Sequence, residues 1–182
     1  GFSEVGRLAG VEATDWSWSA LINDFDNDGF KDLFIANGLA QDILNQDYLN
    51  YISNDEMAKM VIRKEGVDYK KLIDIIPVNK ISNYAYAGDG DLSFTDVTET
   101  WGLEEPSHSN GAAYGDLDND GDLDLVGNNV NMPLFVYENH ANQKGNHFLK
   151  FELLGDKLNR SAIGTKVSLK VGDSLFYQEL NP

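Results

Sequence analysis

An internal repeat is the sequence feature that most constrains the fold. Residues 94–129 align with residues 2–37 without a gap, and 14 of the 36 aligned positions are identical. Each copy contains short apolar runs on both sides of an acidic loop, as in Ala20-Leu21-Ile22 and Leu33-Phe34-Ile35-Ala36, and neither run has helical periodicity. Each copy is therefore predicted to hold two antiparallel strands joined by the loop. Repeated short strands of this kind are typical of β-propellers and other repeat-built β architectures.

The acidic loop has the pattern Asp-x-Asp-x-Asp-Gly-x-x-Asp in both copies. Its members are Asp24, Asp26, Asp28, Gly29 and Asp32 in the first copy and Asp116, Asp118, Asp120, Gly121 and Asp124 in the second. Carboxylates at positions 1, 3 and 5 converge when the chain curls around one centre, and glycine at position 6 permits the positive φ that continues the curl. The backbone carbonyl at position 7, of Phe30 or Asp122, and the aspartate at position 9 are then expected to complete a shell of oxygen ligands.

Such a shell favours a hard cation, and flexible ligation by six or more oxygens fits Ca²⁺ better than Mg²⁺. The sequence therefore predicts two Ca²⁺ sites, and the alternative is a pair of solvated acidic turns. The loop of an EF-hand begins in the same way but needs a bidentate Glu at position 12. Here that position holds Ile35 or Gly127, and strand-like residues follow instead of a helix.

Residues 39–82 have a different, helical pattern. Ser53-Asn54-Asp55-Glu56 has capping-box spacing ahead of Met57, and a second apolar pattern from Tyr69 to Ile76 ends at Pro77. An earlier helix is predicted around Ile43 to Ile52. We expect this insertion to pack an apolar face on the sheet, and the alternative is a dedicated partner-binding helix.

The C-terminal residues 144–182 return to a strand pattern. Leu149, Phe151 and Leu153 alternate with polar residues, as do Val167, Leu169 and Val171, and a last strand is predicted from about residue 175 to 180. The chain begins without Met and ends at Pro182 with no closing element, so we expect it to be an excised piece of a longer protein.

These loops resemble the calcium loops of integrin α-subunit propellers, the FG-GAP or VCBS repeat family. The segment from Gly88 to Thr98, followed by Trp101-Gly102-Leu103, resembles the blade-to-blade turn of the bacterial members. Residues 146–150 and 159–167 resemble the start of the ASPIC/UnbV domain that follows such repeats in cartilage-acidic-protein-like bacterial proteins. The resemblance implies a mainly β fold, a fragment of a β-propeller with integrin α N-terminal-like blades of antiparallel strands, a helical insertion and a C-terminal β segment.

Four segments follow from the pattern and the resemblance. Residues 1–38 are the first FG-GAP/VCBS repeat, residues 39–82 the helical insertion, residues 83–143 the second repeat, and residues 144–182 a truncated ASPIC/UnbV-like β segment. The rest of the parent propeller is expected to be a partner of this fragment. The predicted metal ligands are the carboxylates and position-7 carbonyls named above.

Charge, composition and the placement of the histidines argue against several classes of function. The net charge of −16 argues against nucleic acid and anionic membrane surfaces as partners, there is no cysteine, and no apolar run reaches the length of a membrane span. His108, His140 and His147 stand singly, and Ser107-His108-Ser109 aligns with Asp15-Trp16-Ser17 of the other copy, which favours strand-entry packing or a surface histidine over catalysis. No catalytic residue is predicted.

The predicted function is therefore that of a non-catalytic, calcium-binding propeller module of an exported or cell-surface protein. It is expected to act in adhesion or in recognition of a protein or glycan, in the extracellular space, on a bacterial surface or in the periplasm. The alternative is an accessory or catalytic part of a polysaccharide- or lipid-degrading enzyme.

Overall fold

Antiparallel sheets make up most of the regular structure. The computed structural model describes residues 1–54, 59, 62, 63, 66 and 69–181, and within them nine strands form three sheets. Few residues are helical. The prediction of a mainly β fold is confirmed.

The first sheet has four strands in the order of the chain. They are β1 (Ser17–Asn23), β2 (Asp32–Asn37), β3 (Tyr84–Gly88) and β4 (Phe94–Asp96). The β1/β2 hairpin pairs Ile22 with Leu33 and ends at the pair Asn23 and Asp32, so the acidic loop is the hairpin connection. The register between β2 and β3 places Phe34 opposite Ala85, and both side chains are buried.

The second sheet repeats the same hairpin. Its strands are β5 (Ser109–Gly115), β6 (Asp124–Asn129) and β7 (Phe135–Tyr137). The second acidic loop joins β5 to β6 after the pair Gly115 and Asp124. Both first strands carry a register shift near their start, after Ser17 and after Ser109. The strand pairs predicted around the two loops are thus confirmed.

The boundaries of the sequence repeats do not coincide with the boundaries of the sheets. β3 and β4 lie in the predicted second repeat 83–143, yet β3 pairs with β2 and β4 pairs with β3, so both complete the first sheet. The predicted boundary at residue 83 therefore does not separate the two sheets. Similarity between copies locates the duplicated loop, whereas strand pairing depends on contacts that are distant in sequence. Phe2–Glu4, which align with β4, lie outside the strands.

The connection between β2 and β3 contains two described helices, α2 (Gln46–Ile52) and α3 (Tyr69–Asp74), while the short α1 (Gly6–Ala9) precedes β1. Asn45 caps α2, because its side chain accepts from the backbone N–H of Asp47. The helix predicted after Ser53-Asn54-Asp55-Glu56 lies largely outside the described residues. Neither α2 nor α3 contains a fully buried residue, but Ile76, which belongs to the predicted apolar face, is buried just after α3. The expected packing of this insertion on the sheet stays a prediction.

The C-terminal residues form a separate hairpin of β8 (Lys166–Val171) and β9 (Ser174–Glu179). Residues 149–153, whose alternation predicted a strand, belong to none of the described sheets. Alternation indicates a residue's preference for a half-buried strand, but a strand also needs a neighbour with which to exchange hydrogen bonds.

The main core lies between the first two sheets. Its buried members are Phe25, Phe34, Ala36, Ala85, Leu103 and Leu125. Phe25 comes from position 2 of the first acidic loop, and its ring makes an edge-to-face contact with Tyr114 of β5, with ring centroids 5.8 Å apart. The loop is therefore anchored in the core by its own second residue.

Candidate metal centre

Each acidic loop brings three carboxylates together. Oxygens of Asp24, Asp26 and Asp28 lie within 4.8 Å of one another, and the same holds for Asp116, Asp118 and Asp120. We call these loop 1 (residues 24–32) and loop 2 (residues 116–124). The convergence predicted from positions 1, 3 and 5 thus occurs in both loops.

Backbone N–H groups curl each loop around its carboxylates. In loop 1, Asp24 accepts from the N–H groups of Asp28 and Gly29, each at 3.0 Å. In loop 2, Asp116 accepts from the N–H of Gly121 at 3.4 Å. The position-6 glycines have φ of +97° and +95°, which confirms the left-handed conformation predicted for them.

An aromatic ring also occupies the space that a side chain would fill at each of these glycines. A Cβ built on Gly29 would lie 2.6 Å from Cε1 of Phe176, and a Cβ on Gly121 would overlap the ring of Phe148. Both rings come from the C-terminal residues 144–182, so one residue of that segment packs against each loop. The sequence pattern explains the turn at these glycines but not this second requirement.

The position-9 aspartates connect their loops to the third strand of each sheet. Asp32 is fully buried and accepts from the N–H of Phe25 at 2.7 Å and from that of Gly88 at 3.1 Å. Asp124 accepts from Leu117 at 2.9 Å and from Asn139 at 2.8 Å. Each aspartate therefore links position 2 of its loop to the end of β3 or to the residue two places after β7.

Neither Asp32 nor Asp124 belongs to the three-carboxylate groups. Each carboxylate retains lone pairs beyond those used by the two N–H groups, so the predicted role of these aspartates as ligands stays a prediction. The same applies to the carbonyl oxygens of Phe30 and Asp122. Both residues lie at position 7 of their loops, as the spacing requires.

Two carboxylates of loop 1, those of Asp24 and Asp32, lie where negative charge is unfavourable. Burial raises the pKa of Asp32 to about 6, against the lowering effect of the two N–H groups that it accepts from. Burial also raises the pKa of Asp24, and the charges of Asp28 and Asp26 add to that effect. In loop 2, by contrast, a hydrogen bond from Lys150 at 3.1 Å lowers the pKa of Asp116. A bound divalent cation would offset the repulsion in either loop.

Asparagines join the two loops directly. The side-chain Nδ2 of Asn139 donates to the carbonyl of Phe25 in loop 1 at 2.6 Å and to that of Leu123 in loop 2 at 3.1 Å. Asn146 donates to the carbonyl of Asp26 at 2.9 Å, and Asn27 approaches that of Gly121 at 3.5 Å. Sequence reasoning missed this bridge, because Asn139 and Asn146 lie outside the repeated motif. The available signal was the position of Asn139, two residues after the end of β7.

The Ser-His-Ser segment lies at the other end of β5 from loop 2. Ser107 and Ser109 are fully buried, with 2.8 Å between their hydroxyl oxygens, and the Ser109 hydroxyl donates to Oδ1 of Asn129 at 2.7 Å. His108 between them is 4% exposed. The segment is packed between elements, so of the two non-catalytic alternatives, strand-entry packing and a surface histidine, it takes the first.

Residues 70–127 match the family model of the FG-GAP-like repeat. The match runs from α3 through β3, β4 and β5 to loop 2 and part of β6, and the antiparallel fold is consistent with a β-propeller fragment of this type. No curated protein matches the chain. The FG-GAP resemblance is thus supported for this segment, while the ASPIC/UnbV resemblance of the tail stays a prediction.

FG-GAP repeats are typical of extracellular proteins. Among the residues that the structure describes, no helix has both the length and the apolar character of a membrane span.

Proposed function

We propose that this chain is a non-catalytic, calcium-stabilised propeller module of an exported or surface protein that recognises a protein or a glycan. The observation that carries the proposal is the convergence of three carboxylates at the same place in two successive sheets. The match of residues 70–127 to the FG-GAP-like repeat supports it, because repeats of this family often bind Ca²⁺.

The charges of the loops favour a cation. Three carboxylates within 4.8 Å repel one another, and burial adds to the cost of ionising Asp24. An all-oxygen donor set of this kind suits Ca²⁺, whose extracellular sites are often of modest affinity. Lys150 supplies a positive charge to Asp116 of loop 2 and would have to share that carboxylate with the ion.

A bound ion would act on the contact between sheets as well as on its own loop. The side chain of Asn139 donates to a carbonyl in each loop, and its backbone N–H donates to the carboxylate of Asp124. Ordering either loop therefore orders the bridge between the sheets. The three-carboxylate group occurs in both sheets. We therefore infer a structural role for the ions and no substrate for them.

Calcium titration followed by thermal unfolding tests the metal part of the proposal. The wild type is expected to bind at least one Ca²⁺ per loop and to gain about 2.7 kcal/mol per site when free Ca²⁺ is about 100 times Kd. The double variant Asp24→Asn/Asp26→Asn should lose the loop 1 ion, and Asp116→Asn/Asp118→Asn the loop 2 ion.

Asp91→Asn is the matched control, because Asp91 is an exposed acid in a turn outside both carboxylate groups. It should leave the number of bound ions unchanged. Absence of binding by the wild type up to about 10 mM Ca²⁺, well above the range of extracellular sites, would refute the metal part.

Recognition is tested separately with a glycan array and with immobilised surface proteins, each probed in Ca²⁺ and in EDTA. Binding that depends on Ca²⁺ supports a recognition module. Turnover of a polysaccharide or lipid substrate, abolished by a substitution outside the loops, would instead support an enzyme.

A further inference from the structure

We propose that loop 2 has an additional divalent-cation position, formed by the side chains of Asp120, Asp122 and Asn142, beside its three-carboxylate centre. The inference rests on the proposed function, because Asp120 also belongs to that centre. It concerns the Asp122 side chain, whereas the motif assigns only the backbone carbonyl of that residue to the ion.

The first observation is a buried carboxylate with an unsatisfied oxygen. Asp122 is 0% exposed, and its Oδ2 accepts from the backbone N–H of Asn142 at 3.2 Å. Its Oδ1 is buried and has no hydrogen-bond partner among the described residues. A buried anionic oxygen without a partner is costly, so this arrangement requires a positive charge or a donor.

The second observation is a buried amide oxygen on Asn142, the residue whose backbone N–H donates to Asp122. Asn142 donates from Nδ2 to the Asp120 carboxylate at 2.5 Å, which directs its NH₂ group toward loop 2. Its Oδ1 is likewise buried and without a partner in the part of the chain that the structure describes. The backbone N–H of Asp122 also donates to Asp120, at 3.2 Å, so the three side chains share one small region.

The donor chemistry selects the ligand. Two carboxylates and an amide carbonyl are oxygen donors of the kind that Ca²⁺ and Mg²⁺ prefer, with water completing the coordination. A single shared proton between Asp120 and Asp122 would satisfy the carboxylates alone and would leave the amide oxygen of Asn142 unpaired. A cation bound by all three side chains would satisfy both oxygens.

Loop 1 provides an internal comparison. Its position 7 is Phe30, whose side chain is 47% exposed and offers no oxygen ligand. The additional position is therefore a property of loop 2, and the two loops are expected to bind different numbers of ions.

Ion counting decides the matter. After equilibrium dialysis against saturating Ca²⁺, elemental analysis and calorimetry of the wild type should give three ions per chain. Asp122→Asn should give two, with the loop 1 affinity unchanged within about twofold. Glu138→Gln is the control for loss of one negative charge, because Glu138 is exposed and lies outside the cluster. It should keep three ions.

Two ions in both the wild type and Asp122→Asn would overturn this inference and leave the proposed function intact. No ion in either protein would overturn the proposed function itself. Circular dichroism in EDTA checks that Asp122→Asn folds. If it does not fold, Asn142→Ser replaces it and should weaken the third ion at least about tenfold, and an unchanged third affinity would refute the proposal.

Discussion

Replacement of Asn139 by alanine tests the bridge between the two sheets. The side chain donates to the carbonyls of Phe25 and Leu123, and its Oδ1 accepts from the N–H of Ala141 at 3.1 Å. Three neutral hydrogen bonds at about 1 kcal/mol each sum to about 3 kcal/mol, and water reaching the freed groups lowers the expected loss to about 2–3 kcal/mol.

Urea denaturation measures this loss as a change in midpoint at constant m-value. Because a loss of 1 kcal/mol lowers Tm by about 2–4 °C in a protein of this size, thermal melts should show a decrease of about 4–12 °C. The measurements are made in EDTA, so that the hydrogen bonds are tested apart from any ion.

Asn128→Ala serves as the matched control. Asn128 lies in the neighbouring strand β6 and makes an exposed side-chain bond to Asn110 at 2.8 Å, so its loss should cost no more than about 0.5 kcal/mol. If Asn139→Ala is no less stable than Asn128→Ala, the hydrogen bonds of Asn139 do not hold the sheets together and the reasoning fails.

Two further outcomes are expected. Gly121→Ala should destabilise the fold by clearly more than Gly102→Ala, because both have positive φ but only Gly121 has an aromatic ring where the Cβ would go, and equal losses in urea melts would contradict this. Burial raises the pKa of Tyr137 to about 12, so its ionisation favours the unfolded chain, and the stability it contributes is complete below about pH 10 and lost toward pH 12. Tyr137→Phe should therefore lose less stability than the wild type between those pH values, and parallel curves would argue against the buried phenol.

Local spacing was enough to predict the loops but not their surroundings. The positions of Asp24, Asp26 and Asp28 follow from a pattern within one turn, so the convergence of their carboxylates could be predicted. Asn139 reaches the carbonyl of Phe25 across 114 positions of the chain, and no local pattern contains that contact.

The helical segment also shows that a local pattern predicts an element but not its packing partners. Periodicity predicted helices around residues 43–52 and 69–76, and helices are present at Gln46–Ile52 and Tyr69–Asp74. Of the apolar residues that it predicted to pack on the sheet, Ile76 is buried, whereas Leu44 and Ile73 are more than half exposed. Periodicity gives the face that a helix can bury, but not whether a partner surface lies within reach.

The phase difference between repeat and sheet constrains how such a protein can gain or lose length. β4 stands at the start of the second sequence copy but completes the sheet begun by the first. A newly duplicated copy would therefore contain the outer strand of the preceding sheet and would lack the outer strand of its own sheet. Each new copy would share a sheet with the preceding copy. Duplication would therefore extend one continuous structure instead of adding separable modules.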